Sequence, residues 1–160
     1  MVVNEQRVRV KRDSLLGPFF VDAPSFEILE HPADIGFRAF GTSLAELFEN
    51  AALALVSIAG EIEGVEPLSE YALEAAGGDR ESLLVAWLSE VLYWLDGRHI
   101  RFQRFRVSMA DDRRVTATGL GEPWEPSRHP ARLLVKAVTW HQLRIARSDS
   151  GWMAEVYLDV

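Results

Sequence analysis

Two apolar stripes of helical period, each opened by a capping residue and closed by a glycine, constrain the fold of this chain more than any other feature. The first runs through Leu44, Leu47, Phe48, Ala51, Leu55 and Ile58, in steps of three and four, so a helix over 42–59 presents one face to a core. Ser43 with Glu46 three residues on has the form of a capping box, and Gly60 is a natural stop. The second runs through Leu84, Trp87, Leu88, Val91 and Leu95, from an N-cap at Asp79 to Gly97, with Glu81 complementing the positive helix start. Around these stripes the pattern changes to period two, which is the signature of strands. Phe26 and Ile28, then Ile35, Phe37 and Ala39, read as strands on either side of the turn-like His31-Pro32-Ala33-Asp34. Glu61 to Ala76 reads as short strands around Pro67. Phe105, Val107 and Met109 alternate, as do Val115 and Ala117, with Asp111-Asp112-Arg113 as the hairpin tip between them. Gly119-Leu120-Gly121 reads as a hairpin break, and Glu122 to Pro130, with Pro123 and Pro126, as a loop. Leu133 to Ile145 reads as one long strand. Asp149-Ser150-Gly151 turns it into a last strand on which Trp152, Ala154, Val156, Leu158 and Val160 share a face. Strands, helix, strands, helix and then hairpins predict an α+β fold, two helices packed on a largely antiparallel sheet.

The chain has 160 residues, 48% of them hydrophobic, which is enough for one full-sized domain. That domain is expected over 25–160. Residues 1–24, with Gly17-Pro18 and Ala23-Pro24, differ in character and read as an N-terminal extension, either loosely docked or adding an edge strand through Val8 and Val10. There is no cysteine, so disulfides, thiolate chemistry and Cys-ligated zinc are excluded. The formal net charge of −7 argues against a protein that grips nucleic acid mainly through phosphates, and favours a basic protein partner or a metal. No apolar run approaches the ~20 residues of a membrane span. No apolar stretch follows Arg7, Arg9, Lys11 and Arg12 as it would in a secretory signal. The expectation is a soluble, cytoplasmic protein.

Three places depart from a simple core pattern. Asp34 closes the link after His31; it either caps backbone N–H groups of the turn or offers its carboxylate to a site. Lys136 shares a face, by alternation, with Leu134, Val138 and Trp140. It either lays its stem on apolar surface with its ammonium in water, or is a cation held beside a carboxylate site. Asp159 lies on the face of Glu155 and Tyr157, either simply solvated or one of several oxygens around a hard cation. His141 alternates opposite Lys136 and is expected in the core; His129 falls in the proline-flanked loop. No phosphate-loop, dinucleotide or HExxH signature is present. Trp87 and Trp94 are spaced as helix core and not as a base-stacking platform.

Five blocks together resemble the archease family. They are Phe26 to Gly41, around His31-Pro32-Ala33-Asp34; Ala45 to Leu53; Leu83 to Tyr93; Val135-Lys136-Ala137-Val138-Thr139-Trp140-His141; and Val156-Tyr157-Leu158-Asp159-Val160. They come in the family's order and cover most of 26–160. The chain departs from the family pattern at Pro32, where Thr is usual, and at Trp140, where Tyr is usual.

The resemblance implies a strand-helix-strand-strand fold with a second such unit inserted into the first. It implies an accessory role, not an enzymatic one: activation of a tRNA-splicing RNA ligase of the RtcB type, promoting its guanylylation and repeated turnover, with RNA contacted only indirectly. By the same resemblance the functional positions are Asp34, Lys136 and Asp159. Asp34, Asp159 and the main chain of Val160 would hold a divalent metal such as calcium, with magnesium or manganese as alternatives, and His31 and His141 would stand nearby. Two other readings compete: a chaperone-like modulator of a tRNA methyltransferase, and an independent metal-dependent hydrolase. The hydrolase lacks an evident nucleophile–base pair.

Overall fold

A computed structural model describes residues 25–30 and 34–160. The expected extension over 1–24, and His31, lie outside the described residues. The chain runs β1 (Phe26–Glu30), β2 (Ile35–Gly41), α1 (Leu44–Ala59), β3 (Ser69–Ala76), α2 (Arg80–Leu92), a π-helical turn (Tyr93–Gly97), β4 (Ile100–Ala110), β5 (Arg114–Pro123), β6 (Ala137–Val138), β7 (Arg144–Ser148) and β8 (Gly151–Asp159). All pairings between these strands are antiparallel, and they form two sheets. One has the order β1-β2-β8, with β6 and β7 sharing the far edge of β8; the other has the order β3-β5-β4. The fold is therefore α+β. The unit β3-α2-β4-β5, itself strand-helix-strand-strand, is inserted between α1 and β6.

Both helices reach both sheets. α1 packs on β1, β2 and β8 and on β4, and α2 packs on β3 and β5 and on β6 and β7. The anticipated stripes form the core between them: Leu47, Phe48, Ala51, Leu55, Leu84, Trp87, Leu88 and Val91 are fully enclosed. Trp87 ties the helices together, because its indole N–H donates to the Phe48 carbonyl (3.0 Å) while its ring meets Phe105 edge-on. A buried indole needs such a partner, since an orphaned N–H would cost about 1–3 kcal/mol.

The caps form as the sequence suggests, with two differences. The Ser43 hydroxyl accepts from the Glu46 N–H (3.2 Å), but the Glu46 carboxylate takes the Thr42 hydroxyl and N–H, one residue earlier than a strict box. At α2 the reciprocal partner of Asp79 is Ser82, through bonds of 2.8 and 3.1 Å.

Five further readings are corrected. Residues 61–68 contribute no strand; one strand, β3, carries the segment after Pro67. Gly119-Leu120-Gly121 breaks nothing, and lies inside β5. A Cβ at Gly119 would sit 2.4 Å from the Phe102 ring, so the glycine makes room for an aromatic on the paired strand. Met109 does not continue the face of Phe105 and Val107, because the β4–β5 register shifts between Val107 and Met109. At that bulge the Val107 N–H is taken by the Glu49 carboxylate (2.8 Å), and Met109 turns to solvent.

The long strand expected over 133–145 is interrupted. β6 and β7 both pair with β8, Val138 opposite Leu158 and Arg144 opposite Glu155. Six residue steps on one side (138 to 144) thus face three on the other (158 to 155), and the extra residues form a turn in which Gln142 adopts φ 51°. Leu134 and Trp140 are exposed, and Val135 is the residue that enters the core. His141, expected in the core, is exposed in this turn.

The proline-flanked loop after β5 is held by a buried ionic cluster. The His129 ring accepts the Glu125 N–H at Nδ1 (2.8 Å), so its own proton sits on Nε2, 2.6 Å from the Glu122 carboxylate. Arg128 and the Glu66 N–H complete the shell of Glu122 (2.9 and 3.2 Å). The Arg128 hydrogen bond is the main cause that holds the Glu122 carboxyl down at about 2, against an ordinary 4.5, although burial opposes it. A carboxyl depressed in the folded state stabilises above its unfolded pKa and loses that contribution as pH falls towards its folded one. Stability is therefore expected to decline between about pH 4.5 and about pH 2. In chemical denaturation across that range, Glu122→Gln should be less stable than the parent at pH 6 and should show a shallower acid decline.

Candidate functional site

At one end of the five-stranded sheet, β2 begins where β8 finishes. The last pair of their ladder is Ile35↔Leu158, so the next residue on each strand, Asp34 and Asp159, stands across from the other. Alternation gives these two the same face as the preceding pair, Gly36 and Tyr157. On the other side of β8, Ala137 pairs with Asp159 and Val138 with Leu158. Thr139 leaves the ladder by donating both its N–H and its hydroxyl to the Tyr157 carbonyl (3.0 Å each). A cavity of about 250 Å³ results, lined by Asp34, Thr139, His141, Tyr157, Asp159 and Val160.

The two distant aspartates and Val160 are thus brought to one cavity, with His141 on its wall and its ring 5.9 Å from that of Tyr157. Lys136 is joined to them through the main chain, its N–H donating to the Asp159 carbonyl (2.8 Å). It lines a different, neighbouring cleft with Val138, beside the end of α2. Thr139 and Tyr157 were not singled out from sequence. Tyr157 carried a signal only through its alternation with Asp159, and Thr139 carried none.

Tyr157 connects the cavity to the body of the sheet. Its ring lies over Gly36, where a Cβ would meet Tyr157 Cδ1 at 2.8 Å and the Val156 carbonyl oxygen at 2.5 Å. Its hydroxyl donates to Glu155 (3.0 Å), whose carboxylate also binds Arg38 and Arg144 (3.3 and 3.2 Å). Burial would raise the Glu155 carboxyl, but the Tyr157 hydroxyl and the two guanidiniums outweigh it and hold it below the usual carboxylate range. The Tyr157 hydroxyl is pushed above 10.0, first by burial, then by its bond to Glu155 and that group's charge, with Asp34 adding to the effect.

The donor set suits a hard cation: two exposed carboxylates and the main-chain oxygen of Val160, with no thiolate in the chain. It is incomplete on its own. Among the described residues, no three His, Asp or Glu side chains converge as a metal cluster. A cation here would take its remaining oxygens from water or from another molecule.

Fold and site together define a small α+β protein with a cavity where its second and last strands meet, lined by two carboxylates. The sequence profile described as the Archease protein family (MTH1598/TM1083) matches residues 26–160. The protein archease of Methanosarcina acetivorans is 41% identical over 142 residues, covering 84% of this chain and 95% of that protein. The protein archease of Methanosarcina mazei is 38% identical over 139 residues, with the same coverage. The solution structure of Methanobacterium thermoautotrophicum protein 1598 superposes with a TM-score of 0.70 at 37% identity, covering 85% of this chain and 99% of that one. The chain belongs to the archease family. Among the described residues, no helix is long and apolar enough to cross a membrane.

Gly36→Ala should place a methyl group against the ladder and displace the Tyr157 ring. Overpacking of this kind costs about 1–3 kcal/mol. A lowered melting temperature is expected, with NMR shift changes at Asp34, Tyr157 and Asp159 larger than those in the inserted unit. Unchanged Tyr157 ring resonances would remove it as the link between site and sheet.

Proposed function

We propose that this protein is an accessory factor for an RNA ligase of the RtcB type, and that the Asp34–Asp159 cavity is the surface through which it acts. The carrying observation is the register that sets two carboxylates, 125 positions apart in sequence, across from each other at the sheet end. Asp34, Asp159 and the Val160 main chain hold a divalent cation, calcium by preference, leaving part of its shell open. Oxygens of the ligase site or of its bound nucleotide complete that shell, so the cation and the partner bind together. The family supports the reading, and so does the state of the hydroxyls around the cavity. The Thr139 hydroxyl donates to a carbonyl, which is no base, and the Tyr157 hydroxyl donates to Glu155, whose carboxylate is engaged by Arg38 and Arg144 and held below the usual range, a poor base beside a phenol that gives up its proton less readily than usual. On this reading the protein assists catalysis and does not perform it.

The test is RNA ligation with the ligase limiting, alongside calorimetric titration of the purified protein with calcium. Asp34→Ala and Asp159→Ala should each weaken cation binding by about tenfold or more and reduce the number of turnovers per ligase, while melting temperatures stay near that of the parent. Variants that sustain turnover as well as the parent would end this reading. Stimulation or solubilisation of a tRNA methyltransferase, with ligation unaffected, would put the chaperone-like role in its place.

A further inference from the structure

The cleft that Lys136 lines is a second site, separate from the carboxylate cavity. It measures about 340 Å³ and lies between the C-terminal end of α2 with its π-helical turn and β6. Ser89, Leu92, Tyr93, Asp96, Lys136 and Val138 define its walls. We propose that this cleft binds a nucleoside phosphate, as a free nucleotide or as the terminal nucleotide of an RNA.

Three observations carry this. The first is the chemistry of the walls. Leu92 and Val138 supply apolar surface, Tyr93 an aromatic face, Lys136 a cation, and Asp96 and Ser89 groups that hydrogen-bond base N–H or ribose hydroxyls. The walls are polar and apolar in about equal measure, as a base joined to a sugar and a phosphate requires, and a cation at one end suits it to a phosphate. The second is the state of Lys136. It forms no ion pair and no side-chain hydrogen bond with any other described residue, although the protein carries more acidic than basic groups. Its backbone is nonetheless fixed, by the bond to Asp159 on one side and by the buried Val135 on the other.

The third is the presentation of Tyr93. The residue is 55% exposed. It is not loose, however. The π-helical turn opens at Tyr93, and a Cβ on Gly97 would lie 3.0 Å from two ring atoms, so the ring rests on that glycine. The Arg98 guanidinium sits 5.8 Å from the Tyr93 ring centroid and 4.5 Å from that of Trp94. π-Helical insertions of this sort interrupt a regular helix at a cost and cluster at functional sites. Here the insertion delivers a braced, half-open aromatic ring to the rim of a cleft whose lysine has no ion pair among the described residues. A base stacked on Tyr93 would leave its phosphate for Lys136, and the carboxylate cavity begins one hydrogen bond further on, at Asp159.

This inference concerns the isolated protein and stands whether or not the ligase reading holds. The experiment is NMR titration of the full chain with GMP, AMP and UMP, with guanosine and inorganic phosphate as controls, and with a short single-stranded RNA bearing a terminal phosphate. Amide shifts centred on Tyr93, Asp96 and Lys136 are expected with the nucleotides. Guanosine and phosphate alone should bind more weakly. Base–aromatic stacking is worth about 1–3 kcal/mol by alanine substitution, so Tyr93→Ala should weaken nucleotide affinity by about 5- to 150-fold, and Tyr93→Phe should restore most of it. Lys136→Ala should reduce affinity for GMP but not for guanosine. Tighter binding of the RNA than of GMP would identify an RNA end as the source of the nucleotide, and equal binding a free nucleotide. No shifts at millimolar nucleotide, shifts confined to Asp34 and Asp159, or a Tyr93→Ala protein that binds like the parent would overturn the proposal.

Discussion

The pairing of β2 with β8 is the constraint on which the rest of the molecule depends. Seven cross-strand pairs, from Ile35↔Leu158 to Gly41↔Trp152, join an early segment of the domain to its last strand. On the helix-facing side, Phe37, Ala39, Ala154 and Val156 are completely enclosed. On the opposite side stand the Gly36–Tyr157 and Arg38–Glu155 pairs. A slip of one residue would exchange these sets, burying charges under α1 and exposing phenylalanine, so the register is strongly specified. The same register fixes where Asp34 and Asp159 stand. The position of the carboxylate pair is thus set by packing well away from it.

A buried glutamate on the outer face of a sheet is costly unless its oxygens are filled. Glu155 meets that requirement with Arg38 from β2, Arg144 from β7 and the Tyr157 hydroxyl from its own strand. Three strands are thereby clamped around one carboxylate, and the tyrosine that closes the clamp also floors the functional cavity. Support reaches the cavity through a side-chain network that runs back into the sheet. This matters because, among the described residues, neither aspartate has a carboxylate-binding partner of its own; the strands set their mutual placement.

Much of this was legible in the sequence, and two of the failures share a cause. The two helices, their caps, the β4–β5 hairpin and the faces of β8 follow from periodicity, because each is continuous over enough residues for the pattern to dominate. Two errors fall where a strand changes phase. At the bulge before Met109 the Val107 N–H donates to the Glu49 carboxylate and the count shifts. In 139–143, three extra residues against β8 form a turn, so alternation counted from Lys136 fails by the time it reaches His141. That miscount placed the histidine in the core, when the inserted turn is what carries it to the rim of the cavity. The buried Glu122–His129–Arg128 cluster was equally invisible, since three polar residues around prolines look like any exposed loop until a partner such as Glu66 closes over them. As for the site, residue chemistry could flag Asp34, Lys136 and Asp159, but only pairing could show that the acids share a cavity while the lysine serves its neighbour.

That separation bears on how such a protein could work. A lysine ion-paired to Asp159 would neutralise one of the two charges that attract a cation, and its ammonium would be spent on an internal contact. Directing Lys136 to the α2 side of the sheet avoids both consequences, while the Lys136 N–H to Asp159 carbonyl bond keeps the two regions at a fixed separation. Two exposed carboxylates and a main-chain oxygen make an open, incompletely filled shell, which favours weak cation binding until further oxygens arrive. An accessory protein that must release its partner after each cycle gains from that weakness. On the proposed reading its affinity would be highest when a second set of oxygens is present and would fall once they leave, so that binding and release would follow the partner's own chemical state without a large rearrangement of this fold.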